Sequence, residues 1–394
     1  MIGDDWAEPI RESRGRPDDV GMRRVAVVTG SRAEFGLLTS VMDAIAAHPG
    51  LELLVVAAGS HLVQPALTFR DVKKRYEVAD SVPMQVAGRT GRDADVEAIG
   101  KGVSRFGRSF QLLRPDWVVV LGDRVEPLAA AVAANIGGRA LAHIHGGDRA
   151  EGVADESMRH AITKLAHLHL AATPLSAERV RRMGEPDHLV HAIGSPSLDE
   201  LGRHEPATDD RWRDLGNPEV LLLLHPVGRT DEQEEHAAAV VLESVAGRRV
   251  LALYPNLDPG RDGILRAMLS AGENVTLVEH LPRPAFVGTL KRLAGSGGVM
   301  LGNSSSGLIE APALGCKVID IGPRQDGRER PKSVISCSAA EAGALRWAFS
   351  EVARQLDPEP STMYGDGNAG TRAARLLAEV DPYDPALLRK RIAY

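Results

Sequence analysis

Cysteine is scarce in this chain: Cys316 and Cys337 are the two among 394 residues, and neither has a metal-ligand spacing around it. A disulfide framework and a structural zinc are therefore not expected, and a reducing, cytoplasmic compartment fits. A basic excess is lacking as well. With 47 Lys and Arg against 53 Asp and Glu the formal charge is −6, and no basic run interleaves with aromatics, so no nucleic-acid partner is expected. Residues 1–22 are acidic and Arg-rich without an apolar centre, which argues against a signal peptide or membrane span there. They read as a flexible N-terminal extension, with Met22 an alternative start, and no membrane partner is expected. The turn after the first strand, Gly30 to Gly36, carries neither Gly-x-Gly-x-x-Gly nor Gly-Lys-Ser, and no metal-like ligand set is evident, so no cofactor and no metal are expected.

What remains is a chain of ordinary globular composition, 43% hydrophobic and 25% charged, long enough for two cores. Arg24 to Thr29 reads as a strand running into Gly30-Ser31-Arg32 and then a helix through Leu37, Val41 and Ile45. Unpaired backbone N–H groups at such a helix start favour an anion, with Arg32 adding charge. Leu51 to Ala58 reads as a second strand, Asp93 to Leu113 as a helix, and the alternation continues to Leu189–Ser197. That makes residues 23–203 an α/β domain of the Rossmann kind. The proline-bearing run Arg203 to Pro218 reads as a linker. A second alternation begins at Val220, giving a second domain over residues 204–370, and a last helix at about Thr371 to Val380, within residues 371–394, is expected to return to the first domain. Two similar α/β halves imply a cleft between them.

The densest chemistry lies in the middle of the first half. The strand Val118–Leu121 ends at Gly122-Asp123-Arg124, and the strand Ala140–His145 ends at Gly146-Gly147-Asp148. Asp155 then opens an apolar-periodic helix carrying Arg159. Asp123, His145, Asp148 and Asp155 thus converge on one rim, where parallel sheets place their ligand crevices. An Asp155–Arg159 ion pair is the plainer explanation of that helix start. Convergent carboxylates repel one another, however, and acid–base work is the use that justifies them.

In the second half, Asn303-Ser304-Ser305-Ser306-Gly307 follows a strand and precedes a helix, an arrangement suited to phosphate. A simple serine cap is its rival reading. Glu310, one turn on, would repel phosphate and fits ribose hydroxyls better, which points to a nucleoside diphosphate. His225, Asn256 and Arg324 stand at further strand ends.

These runs resemble the hydrolysing UDP-N-acetylglucosamine 2-epimerase family of sialic and related nonulosonic acid pathways. The likeness is carried by Gly122-Asp123-Arg124, His143-Ile144-His145-Gly146-Gly147-Asp148, the stretch Asp155 to Lys164 and Gly302 to Gly307. It implies a glycosyltransferase-B-type fold, with two Rossmann-like domains facing a central cleft, a nucleotide-sugar substrate and a homodimer or homotetramer. It places catalytic acids on Asp123 and Asp155 beside Arg159. It places nucleotide contacts on Arg32, Arg124, His225, Asn256, Ser304, Ser305, Glu310 and Arg324, with Ser306 in the same run. Family members with His-Ile-Glu-Gly-Gly have Glu where this chain has His145, so the third acid–base group is His145 or Asp148. The implied reaction removes the C2 proton of a nucleotide-linked 2-acetamido sugar as the nucleoside diphosphate leaves C1, then hydrates the glycal with inversion at C2. The alternatives are a non-hydrolysing epimerase, a glycosyltransferase of the same fold, or a nucleotide-sugar-binding regulator.

Overall fold

The computed structural model describes residues 21–64, 66–89, 91–150, 156–256, 258–338, 340–356 and 358–392. Most of the N-terminal extension, residues 1–20, and Asp155 lie outside them. The first sheet comprises β1 (Arg23–Thr29), β2 (Leu51–Ala58), β3 (Val78–Val82), β4 (Trp117–Leu121), β5 (Ala140–Ile144), β6 (Leu168–Ala171) and β7 (Val190–Ala192). All pairs are parallel, in the order 3-2-1-4-5-6-7. The second sheet comprises β8 (Val220–Leu223), β9 (Val250–Leu253), β10 (Val275–Val278), β11 (Val299–Gly302), β12 (Lys317–Ile321) and β13 (Val334–Cys337), in the order 10-9-8-11-12-13.

Parallel strands covered on both faces read as unbroken apolar runs, because alternate residues are buried in opposite layers. β1 illustrates this. Val25 and Val27 pack with Leu38, Val41, Met42 and Ile45 of the helix Arg32–Ala47. Ala26 and Val28 pack on the other face with Phe106 and Phe110 of the helix Arg92–Leu113. All ten are fully buried, and each buried Val, Leu, Ile or Phe is worth about 1.5–3 kcal/mol before entropy is counted.

Both strand orders reverse direction once, between β1 and β4 in the first sheet and between β8 and β11 in the second. Ligands bind outside the strand carboxyl ends at such switch points. The turns there are Gly30–Arg32, Gly122–Arg124, His225–Pro226 and Asn303–Ser306.

The run Arg203 to Pro218 is folded onto the second sheet rather than extended as a linker. Thr208 caps the helix Asp209–Asp214, Trp212 enters the core beside Leu221 and Leu290, and Ala207 N–H donates to Gly288 O at 2.9 Å. A single aromatic among polar residues leaves no periodicity to read. Near the C-terminus the helix Ala369–Glu379 packs on the helix Arg32–Ala47, placing Ala373, Ala374 and Leu377 in the core with Leu38 and Val41. Gly370 permits that approach, since a Cβ there would lie 2.5 Å from Ser40 O. Among the described residues no helix is long and apolar enough to cross a membrane.

Candidate active site

On the first domain the rim groups form one connected array. Arg159, buried on the helix Glu156–Leu165, pairs through Nη2 with Asp123 Oδ2, and its Nη1 donates to Asp148 O at 2.9 Å and Glu156 Oε2 at 3.2 Å. Burial, with Arg328 nearby, lowers this guanidinium to about 9, so it remains charged at neutral pH. The Gly122–Asp123 turn is held from below by His143, whose Nε2–H donates to Gly122 O at 2.8 Å. Burial lowers His143 to about 3, which fixes it neutral.

His145 is the conformational outlier of the array. Its φ is +65°, a left-handed value that costs a non-glycine residue roughly 1 kcal/mol and persists only where surroundings enforce it. Its N–H donates to Leu170 O at 3.1 Å, Nδ1 lies 2.8 Å from Asp148 Oδ2, and Nε2 lies 3.1 Å from Ser195 Oγ. The carboxylate of Asp148 is buried and fully engaged, since Oδ1 accepts from Ser176 Oγ at 2.8 Å. Burial alone would raise Asp148, but the charge and hydrogen bond of His145 outweigh it, with Arg328 and Ser176 assisting, and hold the carboxyl below its usual range. Gly147 makes this packing possible: a Cβ there would meet Ser176 O at 2.1 Å. Asp148 is therefore the group that orients the imidazole, and His145 is the member of the dyad with an imidazole nitrogen facing Ser195.

The second domain assembles a different kind of array. His225 N–H donates to Asn303 Oδ1 and Asn303 Nδ2 donates back to His225 O, both at 2.8 Å, tying β8 to β11 across the switch point. Asn256 N–H donates to His225 Nδ1 at 3.2 Å, so the imidazole proton lies on Nε2. Burial, with Arg324 adjacent, lowers His225 to about 3 and keeps it neutral. Arg324 Nη1 and Gln325 Nε2 both reach Asn303 O, at 3.4 and 2.9 Å.

Two features of this half add to what the run of residues shows. Ser305–Gly307 form a single tight turn, and the helix beyond it, Glu310–Ala313, is one turn long because Pro312 and Gly315 interrupt it. The macrodipole of a long helix is thus missing, and Ser304 Oγ is partly occupied in accepting from Ser306 N–H at 3.4 Å. Glu310, expected to await a ribose, is ion-paired with Arg283, whose Nη2 also donates to Ser197 O at 2.6 Å. Arg32 is half-exposed, 3.9 Å from Asp71, and its charge adds to the burial that lowers His280 of the second domain. Contacts across the cleft include Arg283 with Ser197, Arg328 Nε donating to Arg149 O at 3.3 Å, and Ser195 N–H donating to Tyr364 O at 2.7 Å.

A sequence profile described as UDP-N-acetylglucosamine 2-epimerase matches residues 43–378. The chain belongs to the UDP-N-acetylglucosamine 2-epimerase family. It is 33% identical over 387 residues to a UDP-N,N'-diacetylbacillosamine 2-epimerase (hydrolyzing) of Legionella pneumophila, covering 95% of this chain and all of that one. It is 31% identical over 323 residues to a UDP-N-acetylglucosamine 2-epimerase of Neisseria meningitidis, covering 80% of this chain and 83% of that one. The crystal structure of a UDP-GlcNAc 2-epimerase from Neisseria meningitidis bound to UDP-GlcNAc superposes with a TM-score of 0.74 at 19% identity, over 91% of this chain and 100% of that one. This likeness shows the fold, a glycosyltransferase-B-type pair of parallel-sheet domains.

Several groups of this epimerase-family chain were passed over in its sequence. Ser195 and Ser197 lie in Gly194-Ser195-Pro196-Ser197, whose backbone turn gave no chemical signal. Arg283 opens the unanticipated helix Arg283–Gly295, and Glu126 stands three residues past Asp123.

Proposed function

We propose that this chain is a hydrolysing 2-epimerase acting on a UDP-linked 2-acetamido sugar, either UDP-N-acetylglucosamine or its 4-acetamido-6-deoxy relative UDP-N,N'-diacetylbacillosamine. The products are UDP and the free 2-epimeric sugar, a precursor for sialic-type nonulosonic acids. The observation that carries the reading is the Asp148–His145–Ser195 array beside the Asp123–Arg159 pair, at a switch point facing a second domain rich in neutral donors.

The chemistry follows from the geometry. The C2 hydrogen is weakly acidic, so its removal has to be coupled to departure of UDP from C1. One of Asp123 and His145 takes the proton, the C–H electrons form the C1=C2 bond, and the C1–O pair leaves on the diphosphate. Water then adds through oxygen at C1, the other group gives its proton to the opposite face of C2 and is reprotonated by that water, and the proton taken by the first group passes to solvent. Arg159 holds Asp123 in place, and Asp148 fixes the tautomer and orientation of His145 as a buried carboxylate does for a catalytic imidazole. His225 Nε2–H, Arg324, Arg32 and Arg124 supply donors for the diphosphate, with Asn256, Ser304, Ser305, Ser306 and Glu310 around the nucleoside. The identity to the hydrolysing Legionella protein supports hydrolysis, and the identity to the Neisseria protein favours N-acetylglucosamine as the alternative sugar.

The test is to incubate the protein with each UDP-sugar and follow phosphorus and proton NMR. Release of UDP with a free manno-configured sugar is expected from one of them. An intact UDP-linked epimer would assign the non-hydrolysing reaction instead, and silence from both sugars would refute the reading.

A further inference from the structure

Beneath the first-domain rim lie two buried carboxylates that the reaction above does not use. Glu34, in the first turn of the helix Arg32–Ala47, is 4% exposed, and Glu126, in the first turn of the helix Val125–Ile136, is 0% exposed. Each is held by one oxygen. Gly30 N–H donates to Glu34 Oε2 at 3.0 Å, while Ser60 N–H at 3.4 Å and Gln85 Nε2 at 3.1 Å donate to Glu126 Oε1. The other two oxygens, Glu34 Oε1 and Glu126 Oε2, are buried without a hydrogen-bond partner among the described residues. The backbone closes tightly around them: a Cβ on Gly30 would lie 2.6 Å from the Glu126 side chain, and one on Gly59 2.1 Å from its Oε1.

An orphaned, buried carboxylate oxygen is costly, and two buried carboxylates that both close on Gly30 repel as well. A single proton resolves both problems. We infer that the two carboxylates closing on Gly30, Glu34 and Glu126, hold one proton between them at neutral pH, and that this part-neutralised pair is a positioning device for the diphosphate seat. The pair joins three turns at the sheet's carboxyl edge: Gly30–Arg32 after β1, Gly59–His61 after β2, and Asp123–Arg124 after β4. Ionising both groups would place two negative charges directly under that seat.

The charged surroundings agree. Burial first and the Glu126 charge second raise Glu34 to about 8, against the Gly30 N–H, Arg124 and the Ser31 N–H. Burial also raises Glu126, with Asp95 in the same sense and Arg124, its own backbone and Ser60 in the other. Arg124 Nε lies 3.9 Å from Glu126 Oε2, so one charge on the pair is answered and a second is not. His61, on the neighbouring turn, is kept neutral by burial against Asp71 and hydrogen-bonds Thr29 Oγ1 at 3.0 Å.

Glu34→Gln is the informative variant, because its amide keeps an acceptor for Gly30 N–H and offers a donor to Glu126 without titrating. The infrared difference between wild type and Glu34→Gln at pH 7 is expected to show a protonated-carboxyl carbonyl band that vanishes by pH 9.5, and absence of that band at pH 7 overturns the shared proton. The second arm rests on the proposed epimerase reading and measures UDP affinity by calorimetry. Wild-type affinity is expected to fall several-fold above about pH 8. That fall should be absent in Glu34→Gln and displaced to lower pH in Glu126→Gln, where the opposing charge is gone. An unchanged fall in Glu34→Gln, with folding verified by circular dichroism, overturns the positioning role. Failure of UDP to bind at any pH would refute the epimerase reading while the infrared result still decides the pair.

Discussion

The two domains have the same doubly wound topology, yet their switch points are furnished differently. The first brings Asp123, Arg159, His145 and Asp148 into direct contact, with Glu34 and Glu126 buried behind them. The second offers His225, Asn303, Asn256 and Gln325, whose mutual hydrogen bonds are among uncharged groups. Matching strand orders therefore do not imply matching work. On the proposed reading, the groups assigned to proton exchange are collected where burial and neighbouring charge set their protonation, and the groups assigned to the nucleotide are collected where neutral donors are fixed by the backbone.

This division is broken most severely by Asp123→Asn. It removes a proton acceptor and leaves the buried Arg159 with Glu156 as its remaining carboxylate partner, so kcat is expected to fall by about 10³ while UDP affinity changes less than threefold. Steady-state kinetics and calorimetry on one preparation check both. Asp148→Asn should cost about 10² in kcat, because an amide presents a donor where either Ser176 or His145 requires an acceptor. The variant is also expected to lose the stability that the lowered Asp148 carboxyl contributes above its ordinary pKa of 3.8, a contribution that in wild type fades as pH falls through the still lower folded value.

His225→Ala probes the other domain. It should raise KM roughly tenfold with kcat within threefold, since a neutral donor to the diphosphate is lost and no proton-transfer group is touched. A kcat collapse instead would move chemistry into the second domain. The smallest effect concerns support of the Asp123 turn. His143 is lowered from 6.5 to about 3, chiefly by burial, so it adds stability above pH 6.5 that is lost as pH falls toward the folded value. His143→Gln should therefore shrink the stability difference between pH 7 and pH 5 by about 2 kcal/mol, measured by urea unfolding.

Much of this architecture was legible beforehand because buried parallel strands announce themselves as Val-, Leu- and Ala-rich runs ending in polar turns. β4, β5 and β11 are of that kind. β3, with the sequence Val-Ala-Asp-Ser-Val, is an edge strand whose burial alternates, and it reads as a polar connection. β13 is four residues long and the helix Ala342–Arg354 follows it; both were missed. At the rim, motif residues could be named, but their partnerships could not. Nothing in the order of residues says that Asp148 is consumed by His145 and Ser176, that Ser195 arrives from 50 positions away, or that Arg283 claims Glu310. Those pairings arise from β5, β6 and β7 lying side by side and from the closeness of the two domains, and both are tertiary facts.

The account rests on proton exchange at C2 within the first domain's array. The most direct measurement is the turnover of the preferred UDP-sugar in deuterated water, with the free product analysed by NMR and mass spectrometry. The account predicts one deuterium at C2 of an epimerised free sugar, formed together with UDP. A free sugar released with its C2 hydrogen and configuration retained would contradict it.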